Sequence, residues 1–268
     1  MNEIQAPAKA RPTLALKILR TVVAALVIAV LAGAGFVGYA YVSSPQAIRK
    51  PAAEHFHLRL QMIVDGKDAD FSSAAFQTPY AKDICTAALP TEPIHFHDGL
   101  GQFVHLHWAG MTGGLFLKNY GWNLVGGAAG TLGYRFDLLP KLVRIPIHGN
   151  ALPARPVADN YYIYTGDANG YKQRNWDQFV SQNLEDFFAG KTSVRPSILN
   201  AFVGQAQAAD VMEGMNMSAA SKTEDERIKI NHVVGNAVIF VQKDAPTDSQ
   251  IAAKFANLVA LPDSVCGG

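Results

Sequence analysis

Six of the eight histidines stand in His-x-His pairs, at positions 55/57, 95/97 and 105/107. In a β-strand, residues i and i+2 point to the same face, so each pair presents two neighbouring imidazoles if its stretch is a strand. Neutral imidazole is a common ligand for Zn(II) and Cu(II). Three such ligands leave a position open for catalysis, whereas a fourth closes the site. The spacing therefore predicts a Zn or Cu site built from His55, His57, His95, His97, His105 and His107.

Carboxylates and thioethers extend the set of candidate ligands. Three aspartates lie near the pairs in sequence: Asp68, Asp70 and Asp98. They are candidate ligands, or acceptors that orient ligating imidazoles. Met212, Met215 and Met217 place three thioethers in a short polar loop, and thioethers favour Cu(I). The competing interpretation is that these methionines pack the loop onto the core.

The first histidine pair is predicted to lie on the polar face of a β-hairpin. Asp65–Gly66, between two runs that alternate apolar and polar residues, indicates a two-residue turn. That turn pairs Val64 with Lys67, and the register sorts the apolar residues to one face and the histidines to the other. We therefore expect His55 and His57 to lie away from the hydrophobic core.

A second hairpin is predicted around residues 98–101, and its loop length decides whether the other two pairs share a face. An even loop would put them on opposite faces. A three-residue loop with Gly101 in a left-handed conformation pairs His95 with His105 and puts all four histidines on one face. We expect this odd loop, because only it gathers the neighbouring apolar residues on the other face.

The beginning of the chain predicts a membrane anchor. Residues 21–42 are apolar, uncharged and about long enough to cross a bilayer as a helix. Basic residues before this stretch favour a cytoplasmic N-terminus: Lys9, Arg11, Lys17 and Arg20. We expect a cytoplasmic head (1–20), a single transmembrane helix (21–42), a stalk (43–54) and an extracytoplasmic domain (55–268). A cleaved signal peptide is the alternative, although the apolar stretch is long for one.

The cysteine content fits an extracytoplasmic domain. The chain has two cysteines, Cys85 and Cys266, far apart in sequence. In an oxidising compartment such a pair predicts a disulfide, which would tie the end of the chain to the early part of the domain. Two free thiols and two soft metal ligands are the alternatives.

The remaining patterns predict one α+β domain with antiparallel β-hairpins and several short helices. Residues 161–165 and 236–242 read as strands. Residues 174–189 carry apolar residues at helical spacing and predict one amphipathic helix that ends at Gly190. A capping box at 247–250 opens a last helix, which we expect to run to about Val259.

Composition and motifs exclude several classes of function. The net charge is +1, and no basic patch with interleaved aromatic residues indicates a nucleic-acid partner. The sequence has no nucleophile elbow, P-loop, H-E-x-x-H motif or dinucleotide fingerprint.

Two stretches, 55–72 and 95–122, carry a resemblance to a known group. They contain a His-x-His strand, an Asp-Gly turn, Asp-Phe-Ser, and then two further His-x-His pairs around a glycine-rich turn. In these features the chain resembles uncharacterised secreted or single-span His-x-His proteins of candidate-phylum bacteria and archaea. No activity is established for that group, and the resemblance implies metal binding.

Three hypotheses follow for the function. The first is a membrane-anchored, extracytoplasmic protein that binds Zn or Cu without catalysis. The second is a metal-dependent hydrolase that uses His95, His97 and one of His105 or His107, with Asp98 or Asp70 as the base. The third is a surface interaction module without metal, whose histidines are incidental or respond to pH. The sequence identifies no protein partner.

Overall fold

A mixed sheet, short helices and a long N-terminal helix make up the part of the chain that the computed structural model describes. The described residues are 14–43, 45–49, 52–78, 92–122, 124, 149, 151–156, 159–191 and 233–261. The strands are β1 (Ala53–Val64), β2 (Lys67–Asp68), β3 (Ile94–His95), β4 (Phe103–Trp108), β5 (Asn160–Asp167), β6 (Gly170–Arg174) and β7 (Val233–Gln242). The helices are α1 (Leu14–Ser43), α2 (Gln46–Arg49), α3 (Gly113–Asn119), α4 (Trp176–Ser181), α5 (Leu184–Phe188) and α6 (Asp248–Ala256).

The strands form one sheet in the order β3-β4-β1-β7-β5-β6, with β2 paired to the end of β1. Helices and strands occur together, as predicted, and β1–β2, β3–β4 and β5–β6 are antiparallel pairs. The two strands predicted at 161–165 and 236–242 lie within β5 and β7. One feature was not predicted: β1 and β7 run parallel, which makes the sheet mixed.

Helix α1 contains the predicted apolar segment and begins before it, at Leu14. Within its apolar part, the 25 residues Leu14–Gly38, the most apolar stretch of 18 residues has a mean hydropathy of 2.4 and none of it is buried. At 1.5 Å per residue these 25 residues span roughly 37 Å, more than the ~30 Å of a bilayer's hydrocarbon core. The helix is therefore long and apolar enough to cross a membrane, although a signal sequence near an N-terminus would share these features.

The segment predicted as a stalk contributes to the core. Ala47 and Ile48, in the short helix α2, are buried and belong to the main hydrophobic cluster. The carbonyl of Ala52 accepts a hydrogen bond from the amide of Ala109, just after β4. Contacts of this kind fix where β1 begins, and β1 carries the first histidine pair.

The predicted turn between β1 and β2 is confirmed. Val64 pairs with Lys67, and the two turn residues have positive φ angles, 48° at Asp65 and 75° at Gly66. A two-residue turn of type I′ requires this conformation at both positions, and Asp-Gly tolerates it well. The turn thereby sets the register in which alternate residues of β1 face opposite sides.

One face of the sheet packs against the main hydrophobic cluster. β1 contributes the alternate residues Phe56, Leu58, Leu60 and Met62, and α3, α4 and α5 add buried residues from the helical side. The other face carries a smaller cluster at the far end of β1, where Ile63 packs with residues of β7 and α6. Both faces are therefore covered over part of their area.

The single helix predicted for residues 174–189 is wrong: two helices, α4 and α5, replace it. The chain is extended at Gln182 (φ −91°, ψ 150°), between the two. Asn183 then caps α5 by accepting a hydrogen bond from the amide of Glu185. The amide of Leu184 donates to the carbonyl of Met111, so a contact with a distant segment, invisible to periodicity, breaks the helix.

The capping box of the last helix is confirmed, with reciprocal hydrogen bonds between Thr247 and Gln250. Helix α6 ends at Ala256, three residues before the predicted end at Val259. The segment after it lies against β1, since the Nε of Arg59 donates to the carbonyl of Val259 at 2.6 Å. This tail therefore contacts Arg59, which alternates with His55 and His57 along β1.

Several predicted features fall outside the described residues. They are Cys85, Cys266, Met212, Met215 and Met217. The described part of the chain contains no cysteine and no disulfide, and the pairing of Cys85 with Cys266 stays a prediction.

Candidate metal centre

Three neighbouring strands, with the short segment that follows β3, bring the six paired histidines together. β4 lies between β3 and β1, and its His105 is paired with His95 on one side and with His57 on the other. The predicted pairing of His95 with His105, on which a shared site depended, is confirmed. His105 therefore has a histidine neighbour on each flanking strand.

The conformation predicted for the connecting loop is wrong, although its register is right. Gly101 was expected in the left-handed region, but the left-handed residues are Asp98 (φ 56°) and Gly99 (φ 70°). Strand β3 ends at His95, so the chain turns directly after His97, where the amide of Leu100 donates to the carbonyl of His97. Aspartate and glycine both tolerate this conformation.

The histidine face is buried, although the sequence predicted only that it is a polar face away from the hydrophobic core. His57, His95, His97, His105 and His107 are exposed by at most 2%, and His55 is half-buried. They remain separate from the main hydrophobic cluster, as strand alternation predicted. Alternation sorts residues between two faces, but it does not reveal whether other segments cover the polar one.

The six imidazoles form a closed circuit of ring contacts. Successive centroid distances are 4.6 Å (His107–His55), 4.8 Å (His55–His57), 4.4 Å (His57–His105), 4.1 Å (His105–His97), 5.2 Å (His97–His95) and 4.8 Å (His95–His107). Each ring thus lies beside two others, so their nitrogens are concentrated in one buried volume.

Two sets of three histidines have the spacing of metal ligands. The first set is His55, His57 and His105; the second set is His95, His97 and His105. Within each set the ligand nitrogens lie within 4.8 Å of one another. With Zn–N bonds of about 2.0–2.1 Å, ligand nitrogens in a tetrahedral site are about 3.3 Å apart. Modest side-chain movements would therefore bring either set onto an ion.

Hydrogen bonds orient two of the rings. His57 Nε2 and His105 Nδ1 are 2.9 Å apart, so one donates to the other. His97 Nδ1 lies 2.7 Å from Asp98 Oδ2 and donates to it when Asp98 is ionised. That tautomer leaves the lone pair on Nε2, the arrangement in which a carboxylate orients a metal-binding histidine.

Two ring nitrogens lack a hydrogen bond within the described part of the chain. They are Nε2 of His105 and Nε2 of His107, and both are buried. A buried polar atom without a partner costs about 1–3 kcal/mol, so natural proteins usually satisfy it or use it. A metal cation is a partner that the lone pair of a neutral imidazole nitrogen binds well.

Burial also keeps the central histidines neutral. The pKa of His105 and that of His107 are both well below the usual value of 6.5, chiefly because burial disfavours the charged ring. The neighbouring histidines lower both pKa values further. Neutral imidazole is the form that binds metal, so these two side chains need not lose a proton first at pH 7.

The three aspartates differ in their relation to the site. Asp98 contacts His97, as described above. Asp68 pairs with Lys254 of α6, and Asp70 accepts hydrogen bonds from the amide and hydroxyl of Ser72. Neither Asp68 nor Asp70 belongs to a ligand set of the described residues, and both are exposed.

Two residues of β1 close in sequence to the first histidine pair were not among the predicted site residues. Arg59 continues the alternation of His55 and His57 along β1, and its guanidinium lies 5.1 Å from the centre of the Phe103 ring. Glu54, which precedes the first pair, has its pKa raised to about 7 by burial and then by Glu185. The i, i+2 pattern could have identified Arg59, whereas Glu185 is too distant in sequence to reveal the carboxyl pair.

Comparison with protein-family models, with curated proteins and with solved structures finds no match to this chain. The function therefore has to be inferred from the site.

Proposed function

We propose that the protein is a membrane-anchored, extracytoplasmic metal-binding protein that holds Zn(II) or Cu(II) among its buried histidines. One observation carries the proposal: two sets of three histidines, each with nitrogens within 4.8 Å, share a buried face. Both sets consist only of imidazoles, which suit these two metals, and neither contains a thiolate or carboxylate. The carboxylate of Asp98 would orient His97.

Burial favours storage or structural binding over catalysis. Three ligands and an open position also fit the hydrolase hypothesis. A hydrolase, however, must admit a substrate to the metal, and five of the six rings are almost inaccessible to solvent. The carboxylate of Asp98, the candidate base, is hydrogen-bonded to His97 and therefore acts as a group that orients this ring. The same burial argues against a surface module whose histidines sense pH.

Metal analysis of the full chain tests the proposal. The protein is purified in detergent with an affinity tag that needs no nickel, and its metal content is measured by mass spectrometry. We expect at least one Zn or Cu ion per chain and a higher melting temperature after addition of either ion. A substoichiometric content of every transition metal, with no thermal shift on adding Zn(II) or Cu(II), would refute metal binding.

The proposed location rests on helix α1. Its length and apolarity support an anchor, and the basic residues at 1–20 support a cytoplasmic N-terminus. The resemblance to secreted or single-span His-x-His proteins agrees with this location and stays a prediction. Extraction of membranes with carbonate tests it. An intact protein of 28.9 kDa should remain in the membrane fraction, whereas a soluble product that begins after residue 42 would indicate a cleaved signal peptide.

A further inference from the structure

We infer that His105 bridges two metal ions, so that the histidine face is a dinuclear site rather than a single one. The inference rests on the proposed metal binding and adds to it a second ion and a specific bridging ligand. Its starting point is that His105 belongs to both ligand sets. Two separate mononuclear sites would each need a third histidine of their own, whereas these two sets share His105.

The position of His105 in the sheet favours a bridge. β4 is the middle strand of three, so the first set reaches His105 from β1 and the second reaches it from β3 and the loop after it. The two sets thus approach the same ring from opposite sides. A single ion bound at one side of the ring would leave the other set without its third ligand.

The two nitrogens of His105 have different surroundings. Nδ1 lies 2.9 Å from His57 Nε2 and so faces the first set. Nε2 is buried and makes no hydrogen bond with any described residue. The ring of His97 is the closest of the described rings to His105, with centroids 4.1 Å apart, and His95 stacks on His105 at 5.3 Å. We assign Nδ1 to an ion shared with His55 and His57, and Nε2 to an ion shared with His95 and His97.

The chemistry of such a bridge balances with the loss of one proton. Neutral imidazole carries one N–H and one lone pair, so it can bind one ion without losing a proton. Binding a second ion at the other nitrogen requires that the N–H proton leave to solvent, which converts the ring to imidazolate. A nearby divalent cation favours this loss, as it does for other coordinating groups. The site then holds two divalent ions joined by the imidazolate of His105, while the other four histidine ligands stay neutral.

Copper titration of the full chain in detergent tests the bridge. The metal-free protein is titrated with Cu(II) at pH 8, bound copper is counted, and the electron paramagnetic resonance signal is integrated. We expect two Cu(II) ions per chain and a signal that rises with the first equivalent and falls with the second, because imidazolate couples the two spins antiferromagnetically. A protein loaded with one Cu(II) and one Zn(II) should regain the signal of one uncoupled copper.

Variants distinguish the role of each set. His57→Gln and His97→Gln should each reduce the stoichiometry to one ion and abolish the coupling. His105→Gln should abolish the coupling and weaken both sites, since both lose a ligand. Phe103→Leu is the matched control, because Phe103 lies two residues from His105 on the same face and strand, is equally buried and has no donor atom. It should retain two coupled ions.

The outcomes separate the bridge from metal binding itself. No bound copper would overturn the bridge, and it would overturn metal binding as well only if the metal analysis also finds no zinc. One ion per chain would overturn the bridge and leave metal binding standing. Two ions with a fully uncoupled signal, or coupling that persists in His105→Gln, would equally refute the bridge. The copper count and the resonance signal are measured on the unaltered protein, so they test the bridge even where a variant fails to fold.

Discussion

Acid should destabilise the metal-free protein through the two central histidines. The pKa values of His105 and His107 are well below 6.5 in the folded state, whereas the unfolded chain restores the ordinary value. The unfolded state therefore takes up more protons as the pH falls through 6.5. By linkage, the free energy of unfolding decreases over the same range, and it stops decreasing only at the folded pKa values.

The size of the destabilisation follows from the difference between the folded and unfolded pKa values of the two histidines. At pH 5, protonation favours the unfolded state by about 2 kcal/mol for each histidine that stays neutral when folded. His105 and His107 together would then remove about 4 kcal/mol between pH 7.5 and pH 5. A typical domain has a free energy of unfolding of roughly 5–15 kcal/mol, so the loss would be easily measurable.

Tryptophan fluorescence provides the assay. The chain has three tryptophans, and none lies in α1: they are Trp108 in β4, Trp122 just after α3 and Trp176 in α4. Urea unfolding of the full chain in detergent, with a chelator present, therefore reports the histidine-bearing part at pH 7.5 and 5.0. Glu54 requires a correction, because its raised pKa makes it stabilise the fold as the pH falls from about 7 towards 4.5. The measurement is therefore made on Glu54→Gln.

A double variant supplies the control. His105→Gln together with His107→Gln removes the two rings whose pKa values are lowered, so the free energy of unfolding of this variant should change less between the two pH values. Equal or greater stability at pH 5.0 than at pH 7.5 in the Glu54→Gln background would refute the reasoning. It would mean that the two rings are protonated in the folded state or are accessible to solvent.

Three further variants test separate parts of the structure. Asp98→Asn removes the carboxylate that orients His97 and should weaken Zn(II) binding about 10–100-fold in a chelator competition; unchanged affinity would contradict the orienting role. Glu54→Gln should raise the free energy of unfolding at pH 8 and leave it nearly unchanged at pH 4.5, because the pKa of Glu54 is raised to about 7 in the folded state; lower stability at pH 8 would contradict this. Gly66→Val forces a branched residue to φ 75° and should cost about 1–2 kcal/mol in urea unfolding without changing metal stoichiometry, since the turn lies at the end of β1 far from its histidines; a lost ion would show that the turn register controls the site.

Local patterns in the sequence were sufficient to predict the face of the sheet on which the histidines lie. Alternation has a period of two, so the Asp65–Gly66 turn set the face of the first pair, and the His95–His105 register set a common face for the other two. The pairing of β1 with β4, which brings the first pair beside the others, was not predicted. The loop geometry needed for that register could not be predicted as well. Several backbone conformations give the same pairing, and the structure uses left-handed Asp98 and Gly99 instead of Gly101.

Long-range contacts account for what the sequence did not reveal. The parallel pairing of β1 with β7 joins residues about 180 positions apart, such as Leu60 and Ala237. The contact of β1 with the segment after α6 is likewise distant in sequence, since Arg59 donates to the carbonyl of Val259. Periodicity within a short window carries no information about either contact. The ligand sets were therefore foreseeable as a pattern, but their burial was not.

Burial of the histidine face favours a bound ion, because it leaves ring nitrogens away from water. Neutral rings on a buried face contribute less to stability than apolar side chains of similar size would, since Nε2 of His105 and of His107 each lacks a hydrogen bond with the described residues. At about 1–3 kcal/mol per atom, the two leave a deficit of about 2–6 kcal/mol. An ion that binds only the folded state adds about 4 kcal/mol when its free concentration is 1,000 times its dissociation constant. The gain is of the same size as the deficit, so a bound metal would offset the instability that the six-histidine face imposes on the metal-free fold.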